Sequence, residues 1–180
     1  MTIFDINSFK ATLTNGGARP NQFQCIIGFP SYVPSATREA AFLVSAAELP
    51  GSSVPPATIF YRGRAVHFAG DRQFNPWVAT VLNDADFVVR TALEQWMNGM
   101  DSTLLKRGYT EPAAYLAGSM QVNQLDRNGE ILKSYTMLDV FPTEVSAVGL
   151  DYSANDTISN FQVTFYYQSM FTSGVPASVV

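Results

Sequence analysis

The side chains that could do chemistry in this chain are few and scattered. His67 is the only histidine and Cys25 the only cysteine. A histidine can serve a serine nucleophile as general base when a carboxylate orients it, and Asp71 is the nearest carboxylate for that role. No Gly-x-Ser-x-Gly turn exists to present such a nucleophile. On a strand beside Phe68, His67 reads instead as a structural or interface residue. One imidazole and one thiol cannot supply the usual N/S ligand set of zinc. Asp84 and Asp86 could share a metal, but the calcium-loop spacing is absent. Asn83, Asp84 and Asp86 read together as a helix cap, because short polar side chains accept hydrogen bonds from the free amides of a first turn. Asp126-Arg127-Asn128-Gly129-Glu130 opens like a calcium loop and lacks the later acidic ligands; its Asn-Gly pair is a hairpin signal. Arg62-Gly63-Arg64 beside Tyr61 is the densest cationic run and reads as an interface pair rather than a nucleic-acid grip. No catalytic, cofactor-binding or metal-binding residue is therefore expected, and no cofactor.

Composition says more. The chain has 180 residues, enough for one well-buried core. Charged residues make up only 14%, against about 25% in ordinary soluble proteins. A lone monomer needs a charged surface, so the shortage implies that much of this one is covered by partners. A formal net charge of −4 argues against binding phosphates by a basic face. The N-terminal sequence MTIFDINSFKATL lacks the apolar run of a secretory signal, and no segment reads as a membrane anchor. A lone cysteine allows no intrachain disulfide, which fits assembly in the cytosol.

The elements follow from periodicity. Trp77 to Leu82 alternates at period two and predicts a strand. Val89, Leu93, Trp96, Met97 and Met100 then form an apolar stripe at helical spacing, the only convincing helix. Further strands are predicted over Phe23–Ile27, Ala41–Ala47, Ser119–Leu125, Ile131–Val140, Val145–Tyr152 and Ile158–Phe171, with Phe141-Pro142 ending the fourth of these. Ala57 to Phe68 is either one long strand or a hairpin turning at Arg62-Gly63. Trp77, Leu93, Trp96, Phe161, Val163 and Phe165 are the expected core anchors. The expected fold is mainly β, an antiparallel sandwich or partly closed barrel with one flanking helix. A single domain is expected over 1–180, with an N-terminal arm (1–18), an extended segment (49–70) and a flexible tail (172–180).

Several motifs taken in order carry a family likeness: Leu49-Pro50-Gly51, Ile59-Phe60-Tyr61-Arg62-Gly63-Arg64, WVATVLNDAD from Trp77 to Asp86, Glu94-Gln95-Trp96, Phe141-Pro142 and the late FQVTFYYQ. From about Asn21 to Phe171 the chain resembles the tail tube proteins of contractile-tailed bacteriophages, a fold shared with the type VI secretion tube. The resemblance implies a structural subunit of the virion, not an enzyme. It implies hexameric rings of self-associated copies stacked inside a sheath protein, with initiator or baseplate and terminator proteins at the ends. DNA would pass through the bore without sequence-specific binding. It also implies that Leu49, Pro50, Gly51, Tyr61, Arg62, Gly63 and Arg64 contact neighbouring subunits. Two alternatives stand beside this reading. One is the tube of a phage-derived injection or type VI-like particle. The other, of a different class, is a carbohydrate-binding β-sandwich.

Overall fold

Alternating strands build two antiparallel walls that share one strand. In a computed structural model, residues 5–13, 17–33, 36–102, 104, 107–109 and 111–174 are described. The elements run α1 (Ile6–Thr12), β1 (Phe23–Ile26), α2 (Thr37–Leu43), β2 (Val44–Ala47), β3 (Ser52–Ser53), β4 (Pro56–Tyr61), β5 (Arg64–Ala69), β6 (Gln73–Phe74) and β7 (Trp77–Leu82). They continue with α3 (Val88–Met100), α4 (Pro112–Tyr115), β8 (Ala117–Leu125), β9 (Ile131–Val145), β10 (Asn160–Tyr166) and β11 (Ser169–Thr172). The strand order is β1-β8-β9-β10-β7-β2, with β11 on β9.

The shared strand is β9. Its first part pairs with β8 from Ile131 to Val140, and its last part pairs with β10 from Phe141 to Val145. Just before the changeover, still within the part paired with β8, lies Asp139, a non-glycine residue in the left-handed region (φ 54°). That local reversal turns the strand from one wall into the other. The β8–β9 turn keeps its predicted site. Gly129 adopts φ 83°, while Asp126 Oδ1 accepts from the N–H groups of Asn128 and Glu130.

Both walls close on one core. Trp77, Ala79 and Val81 of β7 point inward with Phe161, Val163 and Phe165 of β10, across a register that sets Phe161 opposite Val81 and Phe165 opposite Trp77. Cys25, Met120, Val122 and Met137 complete the other side. Helix α3 presents Val89, Ala92, Leu93 and Trp96 to the same core. The Trp96 ring lies 6.2 Å from that of Phe165, which lies 5.6 Å from Trp77. Each indole N–H is satisfied by a main-chain carbonyl, Trp77 Nε1 by Glu48 at 2.7 Å and Trp96 Nε1 by Tyr115 at 2.6 Å.

Several expected boundaries are corrected. Ala41 to Ala47 is not a single strand: α2 takes Thr37–Leu43 and only Val44–Ala47 extends. The Arg-Glu-Ala-Ala run favours helix, and a short apolar stretch has no period to reveal it. Helix α3 is also not alone, since α1, α2 and α4 accompany it among the described residues. Pro142 does not end its strand but sits inside β9, beyond Val140, where β8 no longer pairs and one edge is open. Residues 146–159, expected partly as a strand, form a loop. The last long strand is broken at Tyr167-Gln168 into β10 and β11. The expected arm includes α1, while residues 1–4 and 14–16, and the tail after Gly174, lie outside the described residues.

Two outcomes test this core. Trp96→Ala should lower the unfolding free energy by about 3–5 kcal/mol in urea titrations, whereas Leu150→Ala, at a side chain 90% exposed, should leave it nearly unchanged. Cys25 is 1% exposed and its thiol is pushed up to about 12 by burial. It should react with a chromogenic disulfide reagent only as the chain unfolds, with the labelling curve tracking the denaturation curve.

Candidate functional site: a projecting hairpin, open edges and uncharged outer faces

Among the described residues, strands β4 and β5 pair only with each other, from Pro56 opposite Ala69 to Tyr61 opposite Arg64. The turn uses Arg62 (φ 49°) and Gly63 (φ 81°), both left-handed, which is the two-residue turn that matches strand twist. Of the two readings of Ala57 to Phe68, the hairpin is the one adopted. Every side chain on both strands is exposed, Phe60 by 76%. Cross-strand partners share a face, so Ile59, Val66, Tyr61, Arg64, Ala57 and Phe68 lie on one side. Arg62 lies 5.5 Å from the ring of Tyr61. His67 stands on the other side, its Nδ1 3.0 Å from Thr58 Oγ1.

The stem of the hairpin is tied to the body. Ser52 and Ser53 of β3 pair with Phe74 and Gln73 of β6. Gly51 holds Asn75 N–H through its carbonyl and accepts from Tyr167 Oη at 3.2 Å. Phe74 packs on Tyr167 with ring centroids 5.5 Å apart. Leu49 is exposed and Pro50 buried. Of the residues named from sequence, Leu49, Pro50 and Gly51 thus lie in the stem, and Tyr61, Arg62, Gly63 and Arg64 at the projecting tip. The two groups are separated along the hairpin.

Among the described residues, β1 pairs only with β8, β2 only with β7 and β11 only with β9. Each therefore leaves one edge of N–H and C=O groups open, and both hairpin strands do the same. The wall faces turned away from the core carry rows that the register defines. Among them are Gln24–Asn123–Ser134, in which the Asn123 side chain is itself buried, Ile26–Gln121–Thr136–Phe171, Ala46–Thr80–Gln162 and Val78–Thr164–Glu144. Glu144 is the only charge in those rows, and no cation appears. Of the other carboxylates, Asp126 and Glu130 lie in the β8–β9 turn, Asp139 at the bend of β9 and Asp151 in the loop before β10.

Near α3, Asp84 Oδ1 accepts from Val88 N–H at 3.1 Å, while Asn83 Nδ2 donates to Ser159 Oγ at 2.9 Å. Asp86 is exposed, and the residue at the helix boundary is Phe87 in a left-handed conformation (φ 51°). One side chain of the proposed cap therefore acts on the helix amides, and Asn83 instead ties the helix entry to Ser159, just before β10.

Conventional chemistry finds little here. A cleft of about 350 Å³ beside the β8–β9 turn is lined by Arg19, Gln22, Leu125, Asp126, Arg127 and Leu132 among others, with neither the histidine nor the cysteine near it. No three of His, Cys, Asp and Glu gather as a metal site among the described residues. No described helix is long and apolar enough to cross a membrane. The loop of residues 146–159 exposes Leu150, Tyr152 and Ile158, a feature that sequence reading hid inside an expected strand. Asp151 organises it by accepting from Ser153 N–H at 2.9 Å and Ser153 Oγ at 2.8 Å, and those bonds hold its carboxyl below the usual range.

Comparison with known proteins agrees with this architecture. The sequence model of a family described as phage tail tube protein matches residues 18–173. The tail tube protein of Serratia phage KSP90 is 25% identical over 166 residues, covering 90% of this chain and 93% of the relative. The tail tube protein gp19 of Enterobacteria phage T4 is 28% identical over 148 residues, covering 82% and 86%. Among solved structures, the fold is similar to a chain of the anti-feeding prophage baseplate, with TM-score 0.61, 15% identity and coverage of 87% and 95%. It is also similar to a chain from the sheath/tube terminator of the extracellular contractile injection system PVC, with TM-score 0.60, 15% identity and coverage of 85% and 94%. The carbohydrate-binding reading is thereby set aside. With the match spanning the core, the hairpin and both walls, the chain belongs to the phage tail tube protein family, the structural virion proteins of contractile tails.

Proposed function

We propose that copies of this chain join edge to edge into hexameric rings, and that the rings stack into a hollow tube. The open margins of β1, β2 and β11 join neighbouring copies, which satisfies the hydrogen-bonding groups a monomer leaves bare. Residues 49–70, with Leu49 to Gly51 at the stem and Tyr61 to Arg64 at the tip, reach adjacent subunits. Outside the tube lies a sheath protein, and baseplate and terminator proteins close its ends; assembly takes place in the host cytoplasm.

One outward wall lines the bore. The observation that carries this reading is the absence of any cation from the register-defined outer rows. A lining with lysines or arginines would hold phosphates through counterion release, whereas amide and hydroxyl side chains wet the wall and let DNA slide. The charge shortage of the sequence has the same cause, since a subunit covered on several sides needs few charges.

Negative-stain microscopy of concentrated purified protein should show rings or tubes of uniform bore; discrete small particles at every salt concentration would overturn the proposal. Replacing residues 56–69 with a short Gly-Ser link should keep the thermal melting curve and abolish sedimentable assembly. Assembly at the wild-type level by that variant would remove the hairpin from the contact.

A further inference from the structure

The exposed hairpin and the exposed loop of residues 146–159 lie at opposite ends of the same strands. Strands β7 and β10 run antiparallel, with Phe165 opposite Trp77 at one end and Asn160 opposite Leu82 at the other. The hairpin stem is anchored at the first end through Tyr167 and Phe74. The loop of residues 146–159 sits at the second, where Ser159 receives Asn83 N–H at its carbonyl and Asn83 Nδ2 at its hydroxyl. A strand of this length separates them by about 20 Å.

The two features are complementary in charge and alike in apolar exposure. Residues 54–70 contain Arg62, Arg64 and His67 and no carboxylate. Residues 146–159 contain Asp151 and Asp156 and no Lys or Arg. Leu150, Asp151 and Tyr152 frame a hollow of about 340 Å³. Asp151 is already held by Ser153 through Oδ1, so the loop is shaped in advance and Oδ2 remains for a guanidinium. On the hairpin, Ile59, Tyr61 and Phe68 share a face with Arg64.

We infer that the β4–β5 hairpin of one copy docks on the 146–159 loop of the next, Arg62 and Arg64 meeting Asp151 and Asp156 while the hairpin's aromatic and aliphatic face covers Leu150 and Tyr152. The occupant is a second copy of this chain. Because donor and acceptor are different surfaces at opposite ends, the contact is head to tail, and repeated along the tube axis it propagates as an open stack. The inference rests on the tube reading and specifies which two surfaces join successive layers.

Charge exchange tests it. Arg62→Glu with Arg64→Glu, and separately Asp151→Arg with Asp156→Arg, should each lower the sedimentable fraction by at least about tenfold, since like charges then face each other. All four substitutions in one chain should restore assembly. Melting curves should match wild type, because the altered side chains are exposed and the bonds of Asp151 stay within its own loop. Wild-type assembly by either reversed variant would overturn the contact, as would failure of the fourfold variant to recover while wild type still assembles. A wild-type chain that forms no assembly at any concentration would overturn the tube reading, and this contact with it.

Discussion

Burying two indoles without stranding their N–H groups is the constraint from which the rest of the structure follows. A tryptophan gains much from burial, and its one polar atom must find an acceptor there. Trp77 finds the carbonyl of Glu48, and Trp96 finds that of Tyr115. These acceptors lie at consequential places. Glu48 is where the chain leaves β2 for the hairpin stem, and Tyr115 is where it leaves α4 for β8. The core therefore fixes both the root of the projecting arm and the start of the longest ladder. Tyr32 adds a third tie by donating to the Trp96 carbonyl.

Much of this was legible wherever a period was long enough to read. Trp77 to Leu82 and Phe161 to Phe165 alternate strictly, and the structure buries one side of each. The stripe of Val89, Leu93 and Trp96 faces the core as its spacing requires. Turn chemistry was equally informative at Asn128-Gly129, because left-handed backbone suits glycine, whereas at Arg62-Gly63 it left strand and hairpin both open. Elsewhere the signal failed for identifiable reasons. Ala41 to Ala47 is apolar but for Ser45, so helix and strand look alike there. Pro142 reads as a stop from local chemistry alone, and only knowledge of which edge is unpaired makes it admissible inside β9. Leu150 and Tyr152 mimic strand alternation although they project outward.

The functional surface was legible in a different way. No cluster of reactive side chains announced it. The shortage of charge indicated coverage by partners, and the motifs from Leu49 to Gln168 indicated whose family. Which side chains share a face required the cross-strand register. Only then do the outward rows emerge as uncharged but for Glu144.

The rooting of the hairpin carries a mechanical consequence. Its two legs leave from β2 and β7, which are themselves paired, Ala47 lying opposite Ala79. Tension along the arm draws both strands in the same direction, so the ladder between them is not peeled apart. The load passes instead to the junction of β7 with β10, where six successive residue pairs resist in shear at once. A fibre built from such units would transmit an axial tug through its subunits' most deeply seated seam, and would yield elsewhere first.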